Sequence, residues 1–258
     1  MNAPTTEFFR DYARHRAREG RAHSIEELKQ LPYLRLGPLA RQWAVRARTF
    51  DAFVKHVIEP ASRPLAVLDL GAGNGWLSYR LARMGHKTIA LDIRDDDVDG
   101  LGAAARLQAE VPFGCVHASF DDIPFAAGRF DITVLNASLH YAQDLKTVLA
   151  EAARVTRSRG TLAILDSPFY ERAADGEAMV AEKRARGATV FGAQSNTLLS
   201  QNFIEYLTRE RLAAAYPQHF WARRTVRYPL WYELRPVLAA LKRARKPSRF
   251  DLWTARVP

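Results

Sequence analysis

The stretch Val67-Leu68-Asp69-Leu70-Gly71-Ala72-Gly73-Asn74-Gly75 constrains this chain more than any other, because an apolar strand pattern runs directly into three glycines at alternate positions. A helical pattern follows, with Leu77, Leu81 and Met84 on one face. Glycine is required where the backbone turns sharply or where a ligand lies against bare main chain, so the spacing predicts a strand, a ligand-cradling loop and a helix. In the dinucleotide fingerprint the third glycine would stand at position 76, where this chain has Trp76. An indole at the helix start argues against a pyrophosphate and for a ligand without phosphates.

The loop belongs to a repeating texture. Short apolar runs at Leu65 to Leu70, Thr88 to Ile93, Phe113 to Ser119, Phe130 to Asn136 and Thr161 to Asp166 alternate with helical stretches. Such alternation predicts an α/β fold: an open, doubly wound, mostly parallel sheet whose ligands bind at the carboxyl ends of the strands. Before it, Thr5 to Glu59 reads as helical up to Pro60 and Pro64, giving an N-terminal helical cap over residues 1–60 and a main domain over 61–258. Residues 167–205 break the rhythm with a helical patch, Ala173 to Arg186, and a Gly, Ser and Asn rich piece, Gly187 to Asn202; they read as a lid or substrate insert. A helix over Arg209 to Tyr216 precedes two extended runs, Phe220 to Tyr228 and Phe250 to Val257, which pair antiparallel at the sheet edge. Between those runs a basic helix, Tyr232 to Lys246, is expected to turn Leu238 and Leu241 inward.

Asp92 closes the second strand seventeen residues past Gly75, at the spacing a βαβ unit demands of a carboxylate that accepts both hydroxyls of a ribose. With the glycine loop and Asp92, the Asp122-Ile123-Pro124-Phe125 turn, the Gly128-Arg129-Phe130-Asp131 entry to strand four, and Arg154-Val155 with Gly160 before strand five resemble the class I S-adenosylmethionine-dependent methyltransferases. The texture is closest to the small-molecule enzymes related to ubiquinone and menaquinone biosynthesis. The resemblance covers about residues 64–166. It implies a Rossmann-like seven-stranded sheet with an antiparallel edge, and S-adenosylmethionine as cofactor.

The resemblance also implies roles. Asp69, Gly71, Ala72, Gly73, Gly75 and Trp76 would surround the methionine and sugar moieties, with Asp69 set to bind the amino group, while Asp92 and Ile93 would hold the ribose side. After strand three the family carries an acid that meets the adenine amine; here Ser119 and Phe120 stand there, so either the serine hydroxyl substitutes or Asp121 reaches in. Asn136 ends strand four beside the cofactor. His140, just beyond it, is the candidate general base, since an unperturbed imidazole titrates near working pH, with a structural histidine as the rival reading. Trp43, Phe50, Tyr141, Phe169, Tyr170, Phe191 and Phe203 are the aromatic candidates for an acceptor pocket.

Composition narrows the partners. The net charge of +10 is uneven: residues 64–166 hold 10 Lys and Arg against 13 Asp and Glu, leaving the basicity to the flanks. A basic flank attracts anions, and an RNA methyltransferase is therefore one alternative, with a non-catalytic S-adenosylmethionine-binding module as another. Against nucleic acid, Asn136-Ala137-Ser138-Leu139-His140-Tyr141 lacks the prolines and following aromatic of base-methylating enzymes, and Cys115 sits inside an apolar strand, where a thiol is inert. Thus a small, partly aromatic or apolar acceptor is expected. Asp95, Asp97, Asp99 and Gly100 imitate the front of a calcium loop, but Arg106 stands where its bidentate Glu belongs; no metal is predicted, and the acidic run reads as a solvated helix start. A single cysteine, no apolar leader and no span of ~20 apolar residues fit a soluble cytoplasmic protein. The sequence leaves the oligomeric state open.

Overall fold

The computed structural model describes residues 5–218 and 220–258; residues 1–4 of the expected cap and His219 lie outside them. Three helices open the chain: α1 (Thr6–Arg18), α2 (Ile25–Gln30) and α3 (Ala40–Phe53), the last running on into a π-helical turn, Val54–Ile58. Thr5 caps α1 by accepting from the Phe8 amide, and Ser24 and Glu27 form a reciprocal capping box on α2. The helical pattern expected over Thr5 to Glu59 is therefore interrupted, because Gly20 takes a left-handed turn (φ 81°) and Pro32 and Pro38 cannot continue a helix.

The sheet follows, with β1 (Ala66–Leu70), α4 (Trp76–Arg83), β2 (Lys87–Asp92), α5 (Leu101–Gln108), β3 (Gly114–His117), β4 (Phe130–Asn136), α6 (Leu145–Val155) and β5 (Thr156–Leu165). Beyond it come α7 (Ala173–Ala185), α8 (Gly187–Phe191), α9 (Ser195–Leu199), α10 (Arg209–Ala215), β6 (Ala222–Arg224), α11 (Leu230–Glu233), α12 (Arg235–Leu241) and β7 (Leu252–Arg256). The strand order is β3-β2-β1-β4-β5-β7-β6. Strands β1 to β5 pair in parallel, whereas β7 pairs antiparallel with both β5 and β6. The expected doubly wound sheet with an antiparallel edge is what forms. Its order reverses between β1 and β4, and a ligand crevice opens there at the carboxyl ends.

Burial explains the strand runs: every residue of β4 is buried, as a strand covered on both faces requires. One apolar cluster unites the N-terminal helices with the sheet, joining Leu28, Trp43, Phe50 and Phe53 to Val67, Trp76 and Val134. A smaller cluster joins Phe8 of α1 to Phe191 and Leu198. That packing accounts for one departure from expectation: the Gly, Ser and Asn rich piece is a series of short helices, because Phe191 and Leu198 have an apolar face to cover. The basic helix differs too. It ends at Leu241, none of the residues of α12 is buried, and Leu238 and Leu241 face solvent instead of the core.

Among the described residues, no helix is long and apolar enough to cross a membrane.

Candidate active site

The glycine loop takes its shape from three left-handed residues, Gly71, Gly73 and Gly75, at φ 71°, 53° and 70°. A Cβ on Gly71 would come within 2.4 Å of the Ser138 Cβ, so the crossing of the loop over the end of β4 admits no side chain. The amides of Gly71 and Ala72 donate to the Leu91 carbonyl at 2.8 and 3.1 Å. This leaves the loop anchored to β2. From there Asp92 completes the clamp, accepting from the Gly73 amide at 2.7 Å and the Arg94 amide at 2.8 Å. Burial pushes the Asp92 carboxyl up, and the two amides pull it back.

A cavity of about 650 Å³ opens against this loop. Of the residues the sequence proposed, Gly71, Ala72, Gly73, Trp76, Asp92, Ile93, Ser119, Phe120 and Asn136 line it. Asp69, Gly75 and His140 do not line it. Gly75 serves packing, since a Cβ there would meet Ala104 of α5 at 2.6 Å. The carboxylate of Asp69 is turned to α4, where Ser78 Oγ donates to Oδ2 at 3.0 Å, and its Oδ1 is buried without a partner. At the adenine end both readings stay physically open, for Ser119 and Asp121 line the cavity together.

Burial lifts the Asp69 carboxyl from its usual 3.8 to about 7, against the pull of the Ser78 hydrogen bonds. Between those two values the folded chain holds a proton that the unfolded chain has released, so stability declines across the window and levels off above it. The Asp69→Asn chain lacks that titration. Urea denaturation of both proteins should therefore show the wild type losing ground to the variant as pH rises from about 4 to about 7. A gap that stays constant over this window would contradict the burial of Asp69.

His140 departs from the expectation of an imidazole titrating near working pH. Burial, with the charges of Arg46, Lys183 and Arg16 acting in the same direction, pulls it down to about 3. Its Nδ1 lies 3.5 Å from Ser167 Oγ, and its ring packs on Tyr141 at a centroid distance of 4.3 Å. The imidazole is uncharged at neutral pH.

Of the far wall of the cavity, sequence reasoning named Tyr141 and Phe203 but missed the residues of α1. Phe8, Tyr12 and Arg16 recur every four residues along one face of α1 and line the cavity with Phe9, Tyr141 and Phe203. The hydroxyl of Tyr12 donates to that of Tyr141 at 2.7 Å, tying α1 to the end of β4. Arg16 binds Asp99 at 2.8 Å, and Asn74 of the glycine loop donates to the other oxygen of Asp99 at 2.8 Å. Burial alone would raise the Asp99 carboxyl, but Arg16, Arg94 and Arg21 hold it below its usual range. Asp99 is thus a buried tether between α1 and the loop, not part of a solvated helix start. Arg46 of α3 also lines the cavity, stacked on Trp43 at 4.9 Å and making no hydrogen bond among the described residues, while its charge acts on the buried Asp166 carboxyl against the upward push of burial.

The other aromatic candidates pack elsewhere. Trp43 and Phe50 meet Trp76 edge-on at 5.9 and 5.5 Å, Phe169 stacks on Trp253 at 4.6 Å, Tyr170 meets Tyr206 at 5.9 Å, and Phe191 meets His15 at 4.8 Å. Burial raises the half-buried Cys115 thiol, which suits a structural cysteine.

Comparison with known proteins agrees with this geometry. The family model of a methyltransferase domain matches residues 68–164. An uncharacterised methyltransferase of Mycobacterium bovis is 35% identical over 116 residues, 45% of this chain and 56% of that protein, so the chain spans about half the length of that curated relative. A ubiquinone/menaquinone biosynthesis C-methyltransferase of Rhizobium johnstonii is 26% identical over 189 residues, 68% of this chain and 71% of that one. Among solved structures, geranyl diphosphate C-methyltransferase from Streptomyces coelicolor shares the fold with a TM-score of 0.56 at 15% identity, covering 99% of this chain and 100% of that one. The strand order, the glycine loop clamped by Asp92 and these matches support a class I S-adenosylmethionine-dependent methyltransferase related to the ubiquinone/menaquinone biosynthesis enzymes.

Proposed function

We propose that the chain transfers a methyl group from S-adenosylmethionine to a small, partly aromatic or apolar molecule. One observation carries the reading: a single cavity has the glycine loop and Asp92 on one side and the aromatic face of α1, with Tyr141 and Phe203, on the other. A cavity of about 650 Å³ suits a cofactor and a compact acceptor.

The residues present fit the cofactor. The side chain of Asn136 reaches the cavity wall with its Oδ1 buried and unpartnered, an acceptor in want of a donor. Asp92 would hold the ribose hydroxyls, Ser119 or Asp121 the adenine amine, and the Arg46 guanidinium a carboxylate. When bound, the cofactor supplies a methyl group already activated on a sulfonium. What this chain adds is position and proton transfer: the aromatic wall excludes water and orients the acceptor in line with the methyl group, and a base takes the acceptor's proton.

His140 at the end of β4 is the proposed base. It does not line the cavity, and burial with its cationic neighbours makes it a weak base, so the role requires an acceptor whose own negative charge on proton loss strengthens the imidazole and draws it to the cavity wall. Turnover by His140→Ala across pH 6 to 9 tests the role. A loss of roughly 100-fold with cofactor affinity intact supports it, and full activity removes it.

Calorimetry with S-adenosylmethionine, S-adenosylhomocysteine and NAD tests the cofactor assignment. Binding of the first two without the third is expected; binding of NAD alone would overturn the reading.

A further inference from the structure

The segment from Leu230 to Leu241 behaves as one helical rod. The Leu234 amide donates to the Leu230 carbonyl and the Leu238 amide to the Leu234 carbonyl, each at 3.0 Å, and the break between α11 and α12 falls beside Pro236, which has no N–H to give. Leu230, Leu234, Val237 and Leu241 follow a four-three-four spacing along the rod, with Trp231 and Leu238 beside them. That is the pattern of a face made to be covered. Yet all six are exposed, Leu230 by 73% and Leu241 by 77%. Ordinary surfaces scatter single apolar residues and do not align them along a helix.

The charge around the stripe identifies what covers it. Of the nine Lys and Arg in residues 222–249, Arg223, Arg245, Lys246 and Arg249 pair with Asp251, Glu182, Glu171 and Glu233, and Arg224, Arg227, Arg235, Lys242 and Arg243 have no ion pair among the described residues. Arg227 precedes the stripe and Lys242 and Arg243 follow it, none with an ion pair among the described residues. A second copy of the chain is a poor cover, because a two-fold pairing of stripes brings these cations against their own kind with no acid to neutralise them. A bilayer of anionic phospholipid answers both features, with acyl chains for the leucines and phosphates for the cations, and Trp231 suits the boundary between them. We propose that α11 and α12 form an amphipathic surface that docks this protein in the plane of an anionic membrane. The rod spans only about 18 Å at 1.5 Å per residue, so it lies on the bilayer and does not cross it.

Co-sedimentation with vesicles of phosphatidylcholine alone, and of phosphatidylcholine mixed with phosphatidylglycerol, tests the proposal on the full chain. Binding to the mixed vesicles, weakening with salt, is expected. The double variant Leu238→Glu, Leu241→Glu should bind at least tenfold more weakly, and Lys242→Ser, Arg243→Ser should reduce both the binding and its salt dependence. Both pairs are exposed and lie away from the cavity, so unchanged melting and S-adenosylhomocysteine binding would show that the variants remain folded. Absence of binding to anionic vesicles, binding indifferent to both variants, or a concentration-dependent dimer that Leu238→Glu, Leu241→Glu dissociates without any vesicle binding would overturn it.

Discussion

Gly73→Val should abolish binding of S-adenosylhomocysteine, with an affinity loss of more than about 100-fold, equivalent to roughly 2.7 kcal/mol. Two effects add at this residue. Its φ of 53° is a conformation that a β-branched side chain hardly adopts, and a Cβ would lie 3.0 Å from the Asp99 carbonyl oxygen, so the loop must shift. Shifting it withdraws the Gly73 amide from Asp92, the carboxylate proposed to hold the ribose. Calorimetry reads the loss, and circular dichroism shows whether the sheet survives. Affinity equal to wild type would place the cofactor somewhere other than this loop.

Trp76→Ala should cost about 3 to 5 kcal/mol of unfolding free energy, the range for emptying a buried large aromatic site. The indole opens α4, is only 3% exposed, and meets both Trp43 and Phe50 edge-on. Because those partners belong to α3, the substitution loosens the N-terminal helices from the sheet and with them the far wall of the cavity. Urea denaturation should show a lower midpoint, and cofactor affinity should fall as well, since Trp76 itself lines the cavity. A loss below about 1 kcal/mol would mean that the N-terminal helices dock independently of this residue.

Trp76 also shows what was legible in the sequence and what was not. Its presence in place of a glycine pointed to a ligand without phosphates, but its second job, joining the cap to the sheet, depends on Trp43 and Phe50, more than twenty residues away in sequence. The sheet was readable because parallel strands are buried on both faces and show as unbroken apolar runs; Phe130 to Asn136 coincides with β4 to the residue. The loop was readable because left-handed backbone demands glycine. Tyr141 and Phe203 of the proposed acceptor wall were readable, but the α1 side was not, although Phe8, Tyr12 and Arg16 recur at helical spacing, because such a face looks the same whether it meets a core or a cavity. Nor were the pH properties of His140, whose unperturbed value is moved by burial first and then by Arg46, Lys183 and Arg16, three residues from distant parts of the chain. Leu238 and Leu241 misled for a related reason, since amphipathic spacing reports a face to be covered and not the partner that covers it.

Many of the flanking arginines that suggested RNA are engaged within the fold: Arg16 with Asp99, Arg172 with Asp175, Arg223 with Asp251 and Arg249 with Glu233. This makes the choice of acceptor the most direct test. The chain is incubated with S-adenosylmethionine labelled in its methyl group, in parallel with total RNA and with a small-molecule extract, at low and at high salt. RNA binding through phosphates falls by roughly 0.7 logarithmic units per contact for each tenfold rise in salt, whereas a protein-lined cavity of about 650 Å³ is largely shielded from bulk ions. The expected result is label in the extract at both salt concentrations and none in RNA; robust, salt-sensitive label in RNA with none in the extract would contradict the small-molecule assignment.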